Sequence, residues 1–136
     1  MNNQKGLTLV EVIAVIILLG LIGTVVMKGV FGTAGQAKAQ ANMLHMEKVK
    51  QAISQYQFQF NHYPTALNDL VTANAEVKKS GQLFTPLLSE KDLKDVWGNP
   101  LTYKSESNGR SFALTSFGAN GTPGGDGADQ DVTLRP

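Results

Sequence analysis

The feature that most restricts the fold of this chain is an apolar run near its N-terminus. Residues 7–27 read LTLVEVIAVIILLGLIGTVVM, and Glu11 is the only charged residue among them. A helix of that length spans roughly 30 Å, the hydrocarbon thickness of a bilayer, and in lipid only a helix satisfies every backbone group of a single span. We therefore predict a transmembrane helix over residues 7–30. A cleaved secretory signal is the alternative. The apolar stretch of such a signal is shorter than the run in this chain, and only a weak candidate cleavage site follows the run, at residues 32–34.

The composition excludes several classes of function. The chain has 136 residues, about one domain's worth, and its 12 basic and 11 acidic side chains give a formal net charge of +1. This balance argues against a nucleic-acid-binding protein, which shows a basic excess on some face. Because the chain has no cysteine, disulfide scaffolds, iron–sulfur clusters, cysteine-type zinc sites and thiol catalysis are excluded.

The charged residue inside the apolar run is the first candidate functional residue. An ionisable group within a membrane span costs at least ~2.5 kcal/mol on insertion scales, so it marks function by default. The alternative is that Glu11 lies close to the interface and extends its carboxylate into the headgroup region. A carboxylate that is buried in lipid is tolerated when an opposite charge pairs with it.

The residues around Glu11 carry a resemblance to a known family. The string KGLTLVE at residues 5–11, followed by the apolar run, resembles the class III signal of type IV pilins and type II secretion pseudopilins. The resemblance implies a leader over residues 1–6, cleavage after Gly6 by a prepilin peptidase, and N-methylation of Leu7, where most relatives have Phe. It also implies that Glu11 meets the positively charged N-terminus of a neighbouring subunit during assembly.

The sequence after the apolar run predicts a second, amphipathic helical part over residues 31–61. Glycines at every third position over residues 28–35 each cost a helix up to ~1 kcal/mol relative to Ala, so we expect this stretch to be weak, bent or locally unwound. Beyond it, apolar residues recur at spacings of three and four and form one stripe: Met46, Val49, Ile53, Tyr56 and Phe60. We expect this stripe to be the core face on which a C-terminal sheet packs.

Residues 62–136 read as a small globular head, which makes the predicted fold class α+β: a long N-terminal helix packed on a small antiparallel β-sheet. A short helix is expected over residues 66–74, and residues 75–95 read as a loop with one helical turn near 89–93. Short strands at residues 101–104 and 111–115 are joined by an Asn-Gly turn, the strongest short hairpin signal. Trp97 is expected to anchor the core. The string WGNP at residues 97–100 is similar to the head of the major pseudopilin of type II secretion.

The glycine-rich and aspartate-rich stretch at residues 116–132 predicts either a cation site or a mobile loop. It carries side-chain oxygens at residues 120, 126, 129 and 131 between glycines that permit tight folding. Calcium takes six to eight oxygen ligands, including carbonyls, amides and carboxylates. The alternative is a flexible, solvated acidic loop, because glycine-rich polar tracts default to mobile linkers. Neither the EF-hand pattern nor a phosphate-binding loop is matched.

The same stretch resembles the calcium loop of major pseudopilins. Mapped by position, the resemblance implies calcium as cofactor, with these ligands: the carbonyls of Phe117 and Gly125 and the side chains of Asn120, Asp129 and Asp131. Asn120 stands where relatives usually have Asp, so the site carries one charge less. The last strand, after this loop, is expected to be brief.

Taken over the whole chain, the resemblance implies a structural subunit of a type II secretion pseudopilus and not an enzyme. Its expected partners are copies of itself in a helical homopolymer, minor pseudopilins, the prepilin peptidase, the inner-membrane secretion assembly platform and, before assembly, membrane lipid, but not nucleic acid. Its expected location is the bacterial inner membrane, with a single span and a periplasmic head.

Two other functions stay open at this point. One is a type IV pilin or minor pilin used in adhesion, motility or DNA uptake. The other is a membrane-anchored enzyme, although His45 and His62 show no metal-ligand spacing and read as surface residues.

Overall fold

The computed structural model describes residues 6–136, and for residues 24–33 it describes the backbone only. Residues 1–5, most of the predicted leader, therefore lie outside the described residues. The chain divides into two compact units, Met1–Gly35 and Gln36–Pro136.

The N-terminal unit contains the first part of helix α1, which runs over Leu9–Phe60. The structure assigns helix throughout residues 28–35, so the local unwinding predicted there is wrong. Helix propagation adds one hydrogen bond for each residue that is fixed, and good helix formers on both sides offset the cost of the glycines. The expected weakness and bending of this stretch stay predictions.

The membrane span predicted over residues 7–30 lies partly among the residues whose side chains are not described, 24–33. Within the part of the chain whose side chains are described, no helix is both long enough and apolar enough to cross a membrane.

The C-terminal part of α1 carries the predicted apolar stripe. The first four members of the stripe are fully buried, and Phe60 is partly buried against them. The helix ends because Asn61 adopts a left-handed conformation with φ 61°, and Pro64 then prevents the helix from resuming. The amphipathic part and its core face are therefore confirmed.

Three short helical segments lie between α1 and the sheet in the described chain. Two are 3₁₀ helices, over Leu67–Leu70 and Glu90–Leu93, and between them lies helix α2 over Ala75–Ser80. The helical turn near 89–93 is confirmed. The helix predicted over residues 66–74 is wrong in extent, because only four residues are helical and in 3₁₀ form.

Helix α2 lies in a stretch that was predicted to be a loop. The Asn74 side chain accepts a hydrogen bond from the backbone N–H of Val77 at 2.9 Å, and Gly81 ends the helix at φ 68°. An N-cap residue and a C-terminal glycine therefore define a helix of only six residues, which is too short for hydrophobic periodicity to reveal.

The sheet has three antiparallel strands: β1 over Thr102–Glu106, β2 over Ser111–Ser116 and β3 over Val132–Leu134. Their spatial order is β1-β2-β3, and Tyr103 is opposite Leu114 in the first pair. In the hairpin turn, Asn108 and Gly109 both have positive φ, at 57° and 80°, which explains the Asn-Gly signal. The hairpin and the brief last strand are confirmed.

The core forms where α1 meets the sheet and the short helices. Phe112 of β2 is fully buried, and its ring lies 5.1 Å from that of Tyr63 and 5.9 Å from that of Tyr103, measured between centroids. Burial raises the pKa of Tyr103, whose hydroxyl donates to the Pro64 carbonyl at 2.7 Å. The predicted α+β class, with a long helix packed on a small antiparallel sheet, is confirmed for the described residues.

The prediction that Trp97 anchors the core is wrong. Its side chain is only partly buried, and it is absent from the buried cluster found among the described residues. Phe112 and the tyrosines fill the space over the sheet instead. Trp97 lies at the edge of the head, where it lines a groove between α1 and the glycine-rich loop.

Candidate functional site

The peptide bond at which cleavage is predicted lies in exposed, non-helical backbone. Gly6, Leu7 and Thr8 precede the first turn of α1, and Leu7 is 80% exposed. Among the described residues, no heavy atom outside the immediate neighbours comes within 4 Å of the position that a Cβ on Gly6 would take. Both residues of the predicted site are exposed in this part of the chain.

Glu11 makes local hydrogen bonds at the start of α1. One of its carboxylate oxygens accepts from the Thr8 backbone N–H at 2.8 Å and from the Thr8 hydroxyl at 3.1 Å, while the Thr8 hydroxyl accepts from the Glu11 N–H at 3.3 Å. This reciprocal pattern is a capping box, in which Thr8 is the N-cap and Glu11 is the third helical residue. Sequence reasoning missed this role, although the spacing Thr-x-x-Glu before an apolar run is its signature.

A buried polar cluster joins α1 to the end of β2 in the head. Asn42 on α1 donates through its side-chain amide to the Ser116 hydroxyl at 3.1 Å, and that hydroxyl donates to the Asp95 carboxylate at 3.0 Å. All three side chains are at most 6% exposed. Asn42 was missed because an isolated polar residue in a helix carries no sequence signal of burial.

The Asp95 carboxylate also shapes the turn at residues 95–99. Its Oδ1 accepts from the backbone N–H groups of Trp97 at 3.0 Å and Asn99 at 2.9 Å. The Asn99 side chain in turn donates to the Gly118 carbonyl at 3.1 Å. A continuous chain of hydrogen bonds therefore runs from α1, through the turn, to the first residues of the glycine-rich loop.

The glycine-rich loop closes on itself at its two ends. The Ala119 N–H donates to the Ala128 carbonyl at 2.9 Å. Gly118 and Gly125 both have positive φ, and a Cβ on either would lie within 2.8 Å of Asp129 atoms. Only glycine fits at these two positions, so the loop is held close around Asp129.

The predicted calcium ligands lie in this closed loop. The Asn120 side-chain oxygen accepts from the Thr122 N–H at 3.1 Å, and Asp131 accepts from the Gly124 N–H through Oδ2 at 3.0 Å. The other oxygen of Asp131, Oδ1, is buried and is the one buried side-chain polar atom without a hydrogen-bond partner among the residues that the structure describes. A buried carboxylate oxygen without a donor is costly, and a cation would satisfy it.

The glycine-rich loop can bind a calcium ion only if backbone carbonyl and side-chain amide oxygens complete the coordination shell of the ion. Among the side chains that the structure describes, those of residues 6–23 and 34–136, no three His, Cys, Asp or Glu are grouped so as to hold a metal. The predicted set has two carboxylates, Asp129 and Asp131, together with Asn120 and two carbonyls. Calcium accepts such mixed oxygen sets, and the unpartnered Oδ1 of Asp131 supports the fit.

Both histidines are partly buried residues that remain accessible at the surface. His45 Nε2 donates to the Asp92 carbonyl at 3.0 Å, and His62 Nδ1 donates to the Tyr63 carbonyl at 3.0 Å. Beside His45, Lys48 binds the Asp92 carboxylate at 2.8 Å and, with the Ser89 donors, lowers the pKa of Asp92 to about 2. The contacts of His45 and Lys48 attach the second 3₁₀ helix to α1, whereas His62 hydrogen-bonds to its neighbour in the chain, Tyr63.

Known protein families match both the N-terminal apolar part and the remainder of the chain. The family model of type II secretion system protein G matches residues 29–135, and that of the prokaryotic N-terminal methylation motif matches residues 1–27. Three relatives are named type II secretion system core protein G. The one from Xanthomonas campestris is 34% identical and the match covers 96% of this chain and 89% of the relative. The Pseudomonas aeruginosa protein is 32% identical, with 96% and 94% covered, and the Vibrio cholerae protein is 30% identical, with 97% and 92% covered.

Proposed function

The chain belongs to the protein G family of type II secretion systems and is a structural pseudopilin subunit of that machinery. On this basis we propose how its N-terminal site, around the 6–7 bond and Glu11, and its glycine-rich loop act. The observation that carries the proposal is the match of the methylation motif to the residues that contain the exposed 6–7 bond and Glu11. The relatives' shared name favours this role over that of a type IV pilin.

The N-terminal site is proposed to direct processing and assembly. A prepilin peptidase removes residues 1–6, and the new N-terminal Leu7 is methylated. The subunit is held in the inner membrane by a single span, with its head in the periplasm. It then adds to a helical homopolymer, together with minor pseudopilins, at the inner-membrane assembly platform. Growth of this filament helps to move folded proteins across the outer membrane.

Glu11 is proposed to act twice in this process. In the free subunit, its carboxylate caps its own helix through Thr8. In the filament, the same carboxylate pairs with the ammonium group at the N-terminus of a neighbouring subunit, because a low-dielectric surrounding tolerates a charge only when an opposite charge is close. A carboxylate has about four lone-pair sites, so it can accept the Thr8 donors and the ammonium together.

The glycine-rich loop is proposed to bind calcium in the folded head. The side chains of Asn120, Asp129 and Asp131 and the carbonyls of Phe117 and Gly125 would hold the ion. Calcium would supply positive charge between two carboxylates that otherwise repel one another. The observation that supports this proposal is the buried Oδ1 of Asp131.

Processing is tested by the intact mass of the protein from its native membrane. We expect the mass of a chain that begins at Leu7 and carries one additional methyl group. Gly6→Val serves as the comparison, because a branched side chain beside the 6–7 bond should prevent cleavage and leave the full-length mass. A chain that keeps Met1, or one that begins after Ala34, would contradict the proposed processing.

Assembly is tested by replacing each partner in the capping box separately. Glu11→Ala makes the span more apolar, so the subunit should remain in the membrane while the filament yield falls at least tenfold. Thr8→Ala removes the N-cap, at about 1 kcal/mol of helix stability, but keeps the carboxylate for the neighbouring ammonium. Filaments should therefore persist in Thr8→Ala. Normal filament yield from Glu11→Ala, measured in the sheared fraction, would disprove the pairing.

A further inference from the structure

The first arm of the glycine-rich loop is built on a tight turn at residues 118–121. The Gly121 N–H donates to the Gly118 carbonyl at 3.2 Å, which closes this four-residue turn. Asn120 is the third residue of the turn, and Phe117 immediately precedes it. The positions of these two proposed calcium ligands therefore depend on what holds the turn in place.

The Asn99 side chain holds the turn at both of its ends. At the first end, the Asn99 amide donates to the Gly118 carbonyl at 3.1 Å. At the other end, a Cβ on Gly121 would lie 3.0 Å from the Cγ and Oδ1 atoms of Asn99, so only a glycine lets the amide pack directly on this backbone. Both lone pairs of the Gly118 carbonyl thus have a donor, from Asn99 and from Gly121. This carbonyl supports the turn and is not itself a proposed ligand.

The backbone of Asn99 is held in turn by Asp95. The Asp95 N–H donates to the Asn99 carbonyl at 2.8 Å, and the Asn99 N–H donates to the Asp95 carboxylate at 2.9 Å. Gly98, with φ 86°, lets the chain fold back between these two residues. Because Asp95 is buried, the Asn99 side chain is presented to the loop from a fixed base.

The two ligands of the first arm differ in how they are attached to the head. The Gly118 N–H donates to the fully buried Ser116 hydroxyl at 3.4 Å, and because a peptide group is planar, this bond also sets the direction of the Phe117 carbonyl. Asn120 is exposed, and its side-chain oxygen accepts from the Thr122 N–H at 3.1 Å, a contact within the loop. The attachment of Asn120 to the head therefore runs through the turn that Asn99 holds.

We propose that Asn99 is a positioning residue for the calcium site. By holding the turn at both ends, it keeps the Phe117 carbonyl and the Asn120 side chain in place before the ion binds, without touching the ion itself. Groups that orient metal ligands in this way change the metal affinity by about 10–100-fold when they are replaced. This inference rests on the proposed calcium site and adds the residue that prepares the loop for the ion.

Calcium titration of the full chain in detergent micelles tests this role. Asn99→Ala removes the amide that holds the turn, so the Kd for calcium should rise at least tenfold in isothermal titration calorimetry. The control is Asn74→Ala, which removes a side chain that caps α2 through the Val77 N–H at 2.9 Å and donates to the Tyr56 hydroxyl at 3.2 Å. It should lower the melting temperature equally with calcium and with chelator and leave Kd unchanged. An Asn99→Ala chain that melts lower but binds calcium as the parent does would overturn the positioning role.

Two glycines of similar conformation test the contact from the side of the loop. Gly121 has φ 66° and Gly127 has φ 59°, so alanine is strained alike at both, but no described heavy atom lies within 4 Å of a Cβ on Gly127. Gly121→Ala displaces the Asn99 side chain and should raise the Kd for calcium at least fivefold more than Gly127→Ala. In a chain that also carries Asn99→Ala, the two substitutions should have equal effects, because the displaced side chain is gone. A difference that persists undiminished in that chain would contradict the role of Asn99.

The unaltered chain separates failure of this inference from failure of the calcium site. If the parent binds calcium and Asn99→Ala binds it equally well, the positioning role is wrong and the calcium site stands. If the parent releases no heat with calcium and its melting temperature does not respond to the ion, the calcium site and the positioning role are both wrong.

Discussion

Removing calcium is expected to lower the melting temperature of the head by about 10–20 °C. An ion that binds only the folded state stabilises it by about 2.7 kcal/mol when its concentration is a hundred times Kd. In a head of this size, each kcal/mol corresponds to about 4–8 °C. The full chain in detergent micelles can be melted with calcium and with chelator, using fluorescence of the single tryptophan, Trp97, which lies beside loop residues Gly127 and Ala128.

Two substitutions separate ion binding from a structural role of the loop. Asp131→Asn and Asp129→Asn should each remove most of the calcium-dependent rise in melting temperature. In chelator, Asp131→Asn should melt at or above the temperature of the parent, because its buried Oδ1 has no hydrogen-bond donor and a neutral amide costs less to bury than a carboxylate. Asp126→Ala should keep the calcium response, since Asp126 is exposed and is not a proposed ligand.

Magnesium should replace calcium poorly, because it requires near-octahedral geometry and gives up its waters reluctantly. Identical melting curves in calcium and chelator would contradict the calcium proposal. A markedly lower melting temperature of Asp131→Asn in chelator would instead show that the carboxylate stabilises the loop without an ion.

Asp95→Ala is expected to lower the free energy of unfolding of the head by about 3–5 kcal/mol. The carboxylate accepts hydrogen bonds from the N–H groups of Trp97 and Asn99 and from the Ser116 hydroxyl. Hydrogen bonds to a charged group contribute about 1.5–3 kcal/mol each and are not additive, and alanine leaves these donors without a partner. Total stabilities of small domains are about 5–15 kcal/mol, so this one change removes a large part.

The stability lost on replacing Asp95 should depend on whether a hydrogen-bond acceptor remains at this position, and not on the charge alone. Asp95→Asn keeps one oxygen for the two backbone N–H groups but presents an amide N–H to the Ser116 hydroxyl, which already accepts from Asn42 and loses the acceptor of its own proton. The loss of stability should therefore be smaller than for Asp95→Ala, at about 1–3 kcal/mol. The control Asp126→Ala should change stability by less than about 0.5 kcal/mol. Urea unfolding followed by far-ultraviolet circular dichroism measures all three variants. Equal stabilities of Asp95→Ala and the parent would show that the turn does not depend on its carboxylate.

Local patterns predicted most of the fold correctly. The period of the apolar stripe identified the buried face of α1, and the Asn-Gly pair identified the β1–β2 hairpin, because both signals come from backbone geometry that acts over a few residues. Helix α2 was missed because its six residues are defined by their two ends and not by a repeating pattern.

The residues that sequence reasoning placed wrongly depend on contacts between distant segments. Asn42 and Ser116 are 74 positions apart, so nothing near either residue indicates that they are buried together. Trp97 lies in a groove and not in the core, because Phe112 and the tyrosines already occupy the space over the sheet. For the loop, composition predicted oxygen ligands, but only the fold shows which carboxylate oxygen lacks a donor.

The hydrogen bonds between Thr8 and Glu11 lie wholly on the C-terminal side of the 6–7 peptide bond. Cutting that bond therefore breaks neither of the two bonds that Thr8 donates nor the one that it accepts, and Thr8 remains the N-cap of α1. In the proposed processing, the terminal ammonium group would move to Leu7, in front of a helix start that is already capped, and this helix start would not change. The uncut chain already has the helix start that the proposed polymer requires, so the proposed cleavage needs no refolding step.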